Sequence, residues 1–255
     1  MDFAGKVVLV TGGGRGIGAA IARAFAAEKA LVAVNYLRDA AAAQQVLADC
    51  RAAGGDAFAL QADVTVPDQV DRMVGQVVAE AGRIDVLVNN ALRAYAFDPE
   101  QRKTFDALGF DDYRAQFDGA VGAAHHVTKA VLPHFLGRSQ GSIVNIVSNL
   151  VEQPLVPYHD YTTAKAALVG FSRNLAAELG PLGVRVNCVA PGLVYPTGAT
   201  GTTRARFRED IAAATPLRRI ARPEDVAGPV LFLASDWSGF MTGQVLFVDG
   251  GLVMR

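Results

Sequence analysis

A glycine-rich stretch, Thr11-Gly12-Gly13-Gly14-Arg15-Gly16-Ile17-Gly18, lies between an apolar run, Val7–Val10, and a segment of helical period, Gly18–Lys29. Glycines in a strand-to-helix turn allow a tight bend, a close approach of a pyrophosphate to the backbone, and close packing of the helix on the strand. The helix N-terminus adds free N–H groups and the positive end of its dipole. No Gly-Lys-Ser/Thr follows, so the stretch is not a phosphate-transfer loop. Its context favours a dinucleotide-binding turn over a merely structural one.

The strand and helix that flank this turn begin an alternating series. Strand-like apolar runs follow at Leu31–Val34, Ala57–Leu60, Val86–Val88, Ile143–Val147, Val184–Val189 and Val245–Val248, and helical stretches at Ala40–Ala53, Pro67–Ala81, Gly119–Leu136 and Tyr161–Leu179. This alternation predicts an α/β fold: a Rossmann-like, doubly wound, parallel sheet of seven strands with helices on both faces. No linker or repeat divides residues 1–255, so a single domain is predicted. Two stretches without a clear period, 92–109 and 193–206, follow strands and are predicted to be substrate-site loops.

Composition narrows the classes of protein and partner. Of 255 residues, 51% are hydrophobic and 19% charged, which excludes a disordered chain and supplies a large core. The formal net charge of −1 gives no overall attraction to nucleic acid or to an anionic membrane, so neither partner is expected. Cys50 and Cys188 match no metal-ligand spacing, and we expect no metal and two buried, reduced thiols. Without an apolar run of about 20 residues or a basic leader, the predicted location is cytoplasmic.

The end of the second strand bears on the cofactor. Dinucleotide-binding folds that hold an unphosphorylated ribose usually carry an acidic residue there, because a carboxylate accepts from the 2′-hydroxyl and repels a 2′-phosphate. The residue is Asn35, seventeen positions after Gly18, and it is neutral. Arg15 and Arg38 could pair with a 2′-phosphate, the alternative being that both are solvated surface residues. NADP(H) is therefore the preferred cofactor, with NAD(H) as the alternative.

A second cluster indicates proton transfer. Tyr161 and Lys165 are four residues apart in a helical segment, which puts a phenol and an ammonium on one face. Ser148 ends the fifth strand, and we expect its hydroxyl at the carboxyl edge of the sheet.

With these motifs, the chain resembles the short-chain dehydrogenase/reductase family over essentially its whole length. The resemblance is also carried by Ala62-Asp63-Val64, Asn89-Asn90-Ala91, Pro191-Gly192, Met241-Thr242-Gly243-Gln244 and Asp249-Gly250-Gly251. The overall pattern, including the Asn35-Tyr36 strand end, is similar to that of the 3-oxoacyl-acyl-carrier-protein reductases.

The resemblance implies roles for individual residues. Tyr161 would protonate a carbonyl oxygen while the nicotinamide delivers hydride, Lys165 would lower the phenol pKa and bind the nicotinamide ribose, and Ser148 would hold the substrate oxygen. Asp63 would contact adenine, and Asn89 would hold the fourth strand beside the cofactor. The implied cofactor-binding residues are Gly12, Gly14, Arg15, Gly16, Ile17, Gly18, Asn35, Arg38, Asp63, Val64, Asn89, Ala91, Tyr161, Lys165, Pro191, Gly192 and Val194.

The chain departs from the family pattern around the substrate. Leu92 replaces a glycine, Ala120 stands where an asparagine normally completes a proton relay, and Pro196 displaces Thr197 by one position. The loop from Leu92 to Ala120 is also several residues longer than usual. These departures leave the hydride chemistry intact and keep the family's substrate specificity from being carried over.

The main hypothesis is an NADP(H)-dependent ketoreductase acting on a small-molecule or acyl-thioester carbonyl. The alternatives are an NAD-dependent alcohol or sugar dehydrogenase, and a nucleotide-binding sensor without turnover, which Ala120 motivates. The family pairs helices such as Ala120–Leu136 and Tyr161–Leu179 across a two-fold axis, and the tail Thr242–Val253 resembles its second contact surface. A homotetramer is therefore predicted, with a dimer as the alternative.

Overall fold

Residues 1–254, which the computed structural model describes, contain one seven-stranded parallel sheet with the strand order β3-β2-β1-β4-β5-β6-β7. The strands are β1 (Val7–Val10), β2 (Leu31–Tyr36), β3 (Asp56–Gln61), β4 (Val86–Asn89), β5 (Gly141–Ile146), β6 (Val184–Pro191) and β7 (Val245–Val248). Each strand lies where an apolar run predicted it, so the predicted Rossmann-like sheet is confirmed. Every residue of β1, β4 and β5 is buried, as expected for strands covered on both faces.

Helices cover both faces of the sheet. They are α1 (Gly16–Ala27), α2 (Ala40–Ala52), α3 (Pro67–Ala81), α4 (Phe110–Phe117), α5 (Ala123–Leu136), α6 (His159–Leu179), α7 (Ala205–Ala214) and α8 (Pro223–Ala234). Apolar side chains of α1, α2 and α8 form the core on one face, and those of α3, α5 and α6 form the core on the other. No helix of the described residues is long and apolar enough to cross a membrane.

The strand order places a crevice above the centre of the sheet. The chain leaves β1 toward β2 on one side, whereas β4 lies on the other side of β1. Ligands of open α/β sheets bind where the order reverses in this way, at the carboxyl ends of the strands. The turn after β1 and the turn after β4 meet there, because a Cβ on Gly12 would lie only 3.0 Å from Cα of Ala91.

The predicted long helix Gly119–Leu136 is interrupted at its start. Its first residues form a π-helical turn, Asp118–Gly122, which joins the additional helix α4 to α5. Such turns are rare and are often found at functional sites. Cys50 on α2 and Cys188 on β6 are both free and buried, as expected.

Candidate active site

A cleft of about 730 Å³ lies along the carboxyl edge of the sheet. Its volume is typical of small-molecule and cofactor sites. All of the predicted catalytic and cofactor-binding residues line this cleft except Asn89.

The glycine-rich turn has the shape that a pyrophosphate requires. Gly12 and Gly16 have φ of +61° and +53°, a region that side chains disfavour, and a Cβ on Gly18 would lie 2.4 Å from the carbonyl oxygen of Gly12. No described side chain caps the first turn of α1, and no acidic residue lies in it. Its free N–H groups therefore open on the cleft, and the residues present fit a dinucleotide.

Asn35 lines the cleft and also supports this turn. It is 2% exposed, its Oδ1 accepts from the N–H of Gly12 at 3.1 Å, and its Nδ2 donates to the carbonyls of Ala62 and Leu60 at 3.0 and 3.3 Å. Its amide therefore binds backbone groups on both sides, and its predicted contact with the cofactor remains a prediction. The strand continues to Tyr36, whose Cβ would lie 3.4 Å from a Cβ on Gly14, and Tyr36 also lines the cleft.

Cationic side chains border the same end of the cleft. A Cβ on Gly198 would lie 3.3 Å from the guanidinium carbon of Arg15, so Arg15 lies between the glycine-rich turn and the loop after β6. Hydrogen bonds from Thr65 to the Asp63 carboxylate, followed by the charges of Arg38 and Arg93, hold the pKa of Asp63 below its usual range. Thr65 donates to Oδ1 only, which leaves Oδ2 of Asp63 available for a ligand's N–H groups.

Asn89 acts below the cleft. Its Nδ2 donates to Asn145 at 2.8 Å and to Thr128 at 3.3 Å, and Asn145 in turn donates to Ser172 at 2.7 Å. These buried bonds fix β4 and β5 against α5 and α6. Asn89 therefore holds β4 in place without lining the main cleft, and its inclusion among the cofactor-binding residues remains a prediction. The neighbouring Asn90, which is part of the same motif but not among the predicted site residues, lines the cleft and donates to the carbonyls of Thr11 and Gly12.

Ser148, Tyr161 and Lys165 come together as predicted. Ser148 follows β5 and caps the short turn after it, accepting from the N–H of Leu150 at 3.2 Å. Tyr161 lies in the first turn of α6 and hydrogen-bonds with Ser148. Lys165 lies one turn further, with its Nζ 2.7 Å from the carbonyl oxygen of Ile146. All three side chains are buried, yet all line the cleft.

Burial dominates the protonation of this group. It raises the pKa of Tyr161 to about 12, which the Ser148 hydrogen bond partly offsets, and it lowers the pKa of Lys165 to about 8. The lowering of the phenol pKa by the ammonium remains a prediction. Its Nζ is 5.9 Å from the centre of the Tyr161 ring and is bonded to backbone.

Neither Asp118 nor His125, the polar side chains near Ala120 in the sequence, takes the place of the relay amide. Ala120 is buried in the π-helical turn and, with Asn89 and Lys165, lines a small cavity of about 10 Å³. This volume is near the minimum that holds one water molecule. Asp118 and His125 are both exposed and do not line this cavity.

Three aromatic side chains that the sequence did not single out surround Tyr161. The ring centres of Tyr95 and Phe97 lie 5.2 and 5.0 Å from that of Tyr161, and Tyr158 contacts both at 5.8 and 5.4 Å. We call Tyr95, Phe97 and Tyr158 the aromatic wall. The alternation Ala94-Tyr95-Ala96-Phe97 was the available signal, since alternate residues of an extended segment share one side.

Comparison with known proteins agrees with this geometry. A family model described as "Enoyl-(Acyl carrier protein) reductase" matches residues 12–253. A 3-oxoacyl-[acyl-carrier-protein] reductase of Synechocystis sp. is 39% identical over 98% of this chain and 97% of its own length. A solved 7α-hydroxysteroid dehydrogenase, in complex with NADH and 7-oxo glycochenodeoxycholic acid, superposes with a TM-score of 0.90 at 32% identity, covering 100% of this chain and 96% of that one. A short-chain type dehydrogenase/reductase of Mycobacterium marinum gives 0.87 at 31% identity, covering 100% and 97%.

Proposed function

This chain belongs to the short-chain dehydrogenase/reductase family of oxidoreductases, and we propose that it transfers hydride reversibly between NADP(H) and a ketone or secondary alcohol. One observation carries the proposal: Ser148, Tyr161 and Lys165 are buried together in the cleft that begins at the glycine-rich turn. A phenol, a hydroxyl and an ammonium that lie close together can bind a carbonyl oxygen of a substrate and protonate it.

Each of the three side chains has a distinct task in this proposal. The Ser148 hydroxyl binds the substrate oxygen, and Tyr161 gives its phenolic proton to that oxygen during reduction and takes it back during oxidation. Lys165 holds the nicotinamide ribose and places a positive charge near the phenol, which favours the phenolate left after proton transfer. The nicotinamide, when bound, supplies or accepts the hydride at the substrate carbon.

The preference for NADP(H) rests on the end of β2. Asn35 and Tyr36, which both line the cleft there, are uncharged, so no carboxylate stands at this position to accept from a 2′-hydroxyl or repel a 2′-phosphate. Arg15 and Arg38 border the same part of the cleft and supply positive charge.

Exchange of Tyr36 for an acid tests the cofactor preference. We expect Tyr36→Asp to lower the ratio of kcat/KM for NADPH to that for NADH by at least ~10-fold, because the new carboxylate repels the 2′-phosphate. Asn35→Asp is the matched comparison, and it should impair both cofactors because it disturbs the support of the turn. A wild-type preference for NADH would contradict the proposal and favour an NAD-dependent alcohol or sugar dehydrogenase, consistent with the NADH in the solved 7α-hydroxysteroid dehydrogenase.

Replacement of Tyr161 tests the reaction itself. General acids contribute about 10²–10⁴-fold to rate, so Tyr161→Phe should lower kcat for NADPH-dependent ketone reduction by this factor. Tyr113→Phe, on α4 outside the cleft, is the control and should retain full activity. Undiminished reduction by Tyr161→Phe would refute the assignment of the acid. Tight NADPH binding without turnover of any carbonyl by the wild type would support a sensor instead.

Further features are proposed on the same basis. A 3-oxoacyl thioester is one substrate class, in keeping with the name of the Synechocystis relative. We propose a single domain over residues 1–255, since the one sheet draws strands from both ends of the chain. We also propose a cytoplasmic location, supported by two free buried thiols, and a homotetramer.

A further inference from the structure

The aromatic wall is fixed in place from two directions. The Tyr95 hydroxyl donates to Oδ1 of Asp160 at 2.9 Å, next to Tyr161 on α6. On the other side, the N–H of Phe97 donates to the carbonyl of Ala199 at 3.1 Å, and Thr203 Oγ1 donates to the carbonyl of Phe97 at 3.0 Å. The segment that carries Tyr95 and Phe97 is therefore tied both to the catalytic helix and to the loop before α7.

An exposed ion pair joins the same two segments. Glu100, just after the aromatic residues, pairs with Arg204 at the start of α7. Because Tyr95 and Phe97 are held through both side-chain and backbone bonds, they form a preorganised surface. Binding against such a surface requires little ordering of the protein.

The substrate end of the cleft is apolar. Besides the aromatic wall, the lining includes the apolar side chains Leu155, Phe207, Ile211 and Leu252. Of the charged residues that line the cleft, Arg38 and Arg93 act electrostatically on the Asp63 carboxylate, and Lys165 donates a hydrogen bond to the Ile146 carbonyl. Apart from these four residues, Arg15 and Asp39, the described residues that line the cleft are uncharged.

We infer that Tyr95 and Phe97 determine specificity by selecting an uncharged, ring-containing ketone over a linear 3-oxoacyl chain. This inference rests on the proposed ketoreductase function and names its substrate class. Where Tyr161 does not cover them, the two rings present apolar surface against which a rigid ring system can lie. A linear chain of equal size makes similar contacts only by freezing its rotatable bonds, which costs binding free energy.

A matched pair of ketones tests the inference. 2-Decalone and 2-decanone each have ten carbons, one carbonyl and no charge, but only the first is a fused ring. We expect wild-type kcat/KM with NADPH to be at least ~10-fold higher for 2-decalone. Tyr95→Leu and Phe97→Leu should each reduce this ratio by ~3–10-fold, the range that corresponds to one aromatic contact, with little change for 2-decanone.

Two further variants separate the ring from its surroundings. Tyr95→Phe keeps the ring and removes the bond to Asp160, so it should retain most of the ratio. Phe105→Leu changes another aromatic residue of the same loop, which is 73% exposed and does not line the cleft, and should leave both ketones unchanged. Melting temperatures of all variants identify any that are merely unfolded, and Phe97→Leu provides an independent result if Tyr95→Leu is one of them.

The inference is overturned if the wild type reduces both ketones equally well, or if the leucine variants lower both rates alike. In either case a Tyr161-dependent activity would still uphold the proposed function. A 3-oxooctanoyl thioester of N-acetylcysteamine that outperforms 2-decalone would likewise overturn the inference while leaving the ketoreductase assignment intact. If the wild type reduced no ketone or thioester at all, both proposals would be contradicted.

Discussion

Burial shifts the pKa values of Tyr161 and Lys165 in opposite directions. Removal from water penalises the charged form of each group, so the pKa of the phenol rises to about 12 and that of the ammonium falls to about 8. The lysine is still mostly protonated at pH 7, and it is then a buried cation with one hydrogen bond to backbone. A charge kept in such a place for catalysis should reduce the stability of the fold.

Replacement of the lysine should reveal this cost. A pKa lowered from 10.5 to about 8 corresponds to roughly 3 kcal/mol against the charged form, so removal of the ammonium should stabilise the fold. Loss of the hydrogen bond to Ile146 offsets about 1 kcal/mol of this stabilisation. We therefore expect Lys165→Met to raise the free energy of unfolding at pH 7 by ~1–2 kcal/mol while abolishing activity. Urea unfolding measures the first effect and NADPH oxidation the second.

The change of the free energy of unfolding with pH tests whether the buried ammonium is destabilising. Between about pH 8 and 10.5 the native lysine has lost its proton while the unfolded one keeps it, so the contribution of Lys165 to stability rises with pH across this window. The stability difference between Lys165→Met and wild type should shrink from pH 7 to pH 10. A difference that favours wild type at pH 7 and does not change with pH would show that burial of the ammonium is not destabilising.

Individual site residues could be predicted only in part. The glycine-rich turn, Ser148, Tyr161 and Lys165 follow from motif and spacing. The difference between Asn35 and Tyr36 does not, because it depends on the residue at which β2 ends and on which way each side chain of the pleat points. Because β2 ends at Tyr36 and not at Asn35, the last strand residue is a different side chain, on the opposite side of the pleat.

At the scale of elements, the β1–α1 turn depends on glycine where atoms are crowded. In Gly18→Ala the new Cβ would lie 2.4 Å from the Gly12 carbonyl oxygen and 2.5 Å from Nδ2 of Asn90. Relief of these contacts must open the turn, so we expect stability to fall by ~1–3 kcal/mol and NADPH affinity to fall with it. Thermal melting and fluorescence titration with NADPH measure the two effects.

Gly75→Ala is the matched comparison. Gly75 lies within α3, and a Cβ there has no atom within 4 Å. Because alanine favours helix over glycine, this substitution should raise stability by ~0.5–1 kcal/mol and leave NADPH binding unchanged. Equal effects of the two substitutions would mean that crowding at the turn is not what requires Gly18.

Some helices could be predicted from the hydrophobic pattern of the sequence and others could not. α2, α3 and α6 have the predicted apolar period and begin and end within two residues of the predicted bounds. α7 has no buried residue, and α8 contains Pro229 in addition to an initial Pro223, so neither shows a clear pattern. The predicted loops 92–109 and 193–206 are irregular apart from short turns and the first two residues of α7, but their mutual contacts through Phe97 have no local signal.

At the scale of the whole molecule, one face of α6 is suited to close helix pairing. Its exposed residues include the small side chains Ala166, Gly170, Asn174 and Ala177, which recur at helical spacing. Small residues let two helices approach closely, and this face belongs to the pair of helices from which the homotetramer is proposed.

Gly170→Leu tests this assembly without disturbing the chain itself. A Cβ at Gly170 has no atom within 4 Å, and leucine favours helix, so the folded chain should be unaffected. We expect wild type at four times the chain mass of 26.8 kDa, and the variant at a smaller multiple with an unchanged melting profile at high dilution. Light scattering after size-exclusion chromatography gives both masses. A wild-type monomer, or a variant that remains tetrameric, would contradict the proposed pairing.

The sheet could be predicted as a whole, whereas the substrate end of the cleft could not. Seven apolar runs separated by helices allow few arrangements, and β-branched residues buried on both faces specify the parallel one. The aromatic wall and the other apolar side chains of the lining come from residues 95–97, 155, 158, 207–211 and 252, which only the completed fold brings together.

The labelling rates of the two buried cysteines can report how fast the native structure opens around each of them. Burial raises the pKa of both Cys50 and Cys188 to about 11, so at pH 8 almost no reactive thiolate exists in the native state. We expect a thiol reagent to label each site only as fast as its surroundings open, and NADPH to slow the labelling because it binds the native state. Cys50 lies on α2 and Cys188 on β6, so mass spectrometry of the two peptides would time separately the loosening of the nucleotide half and of the catalytic half. Labelling of both sites within mixing time, with NADPH present, would show that these thiols are not protected.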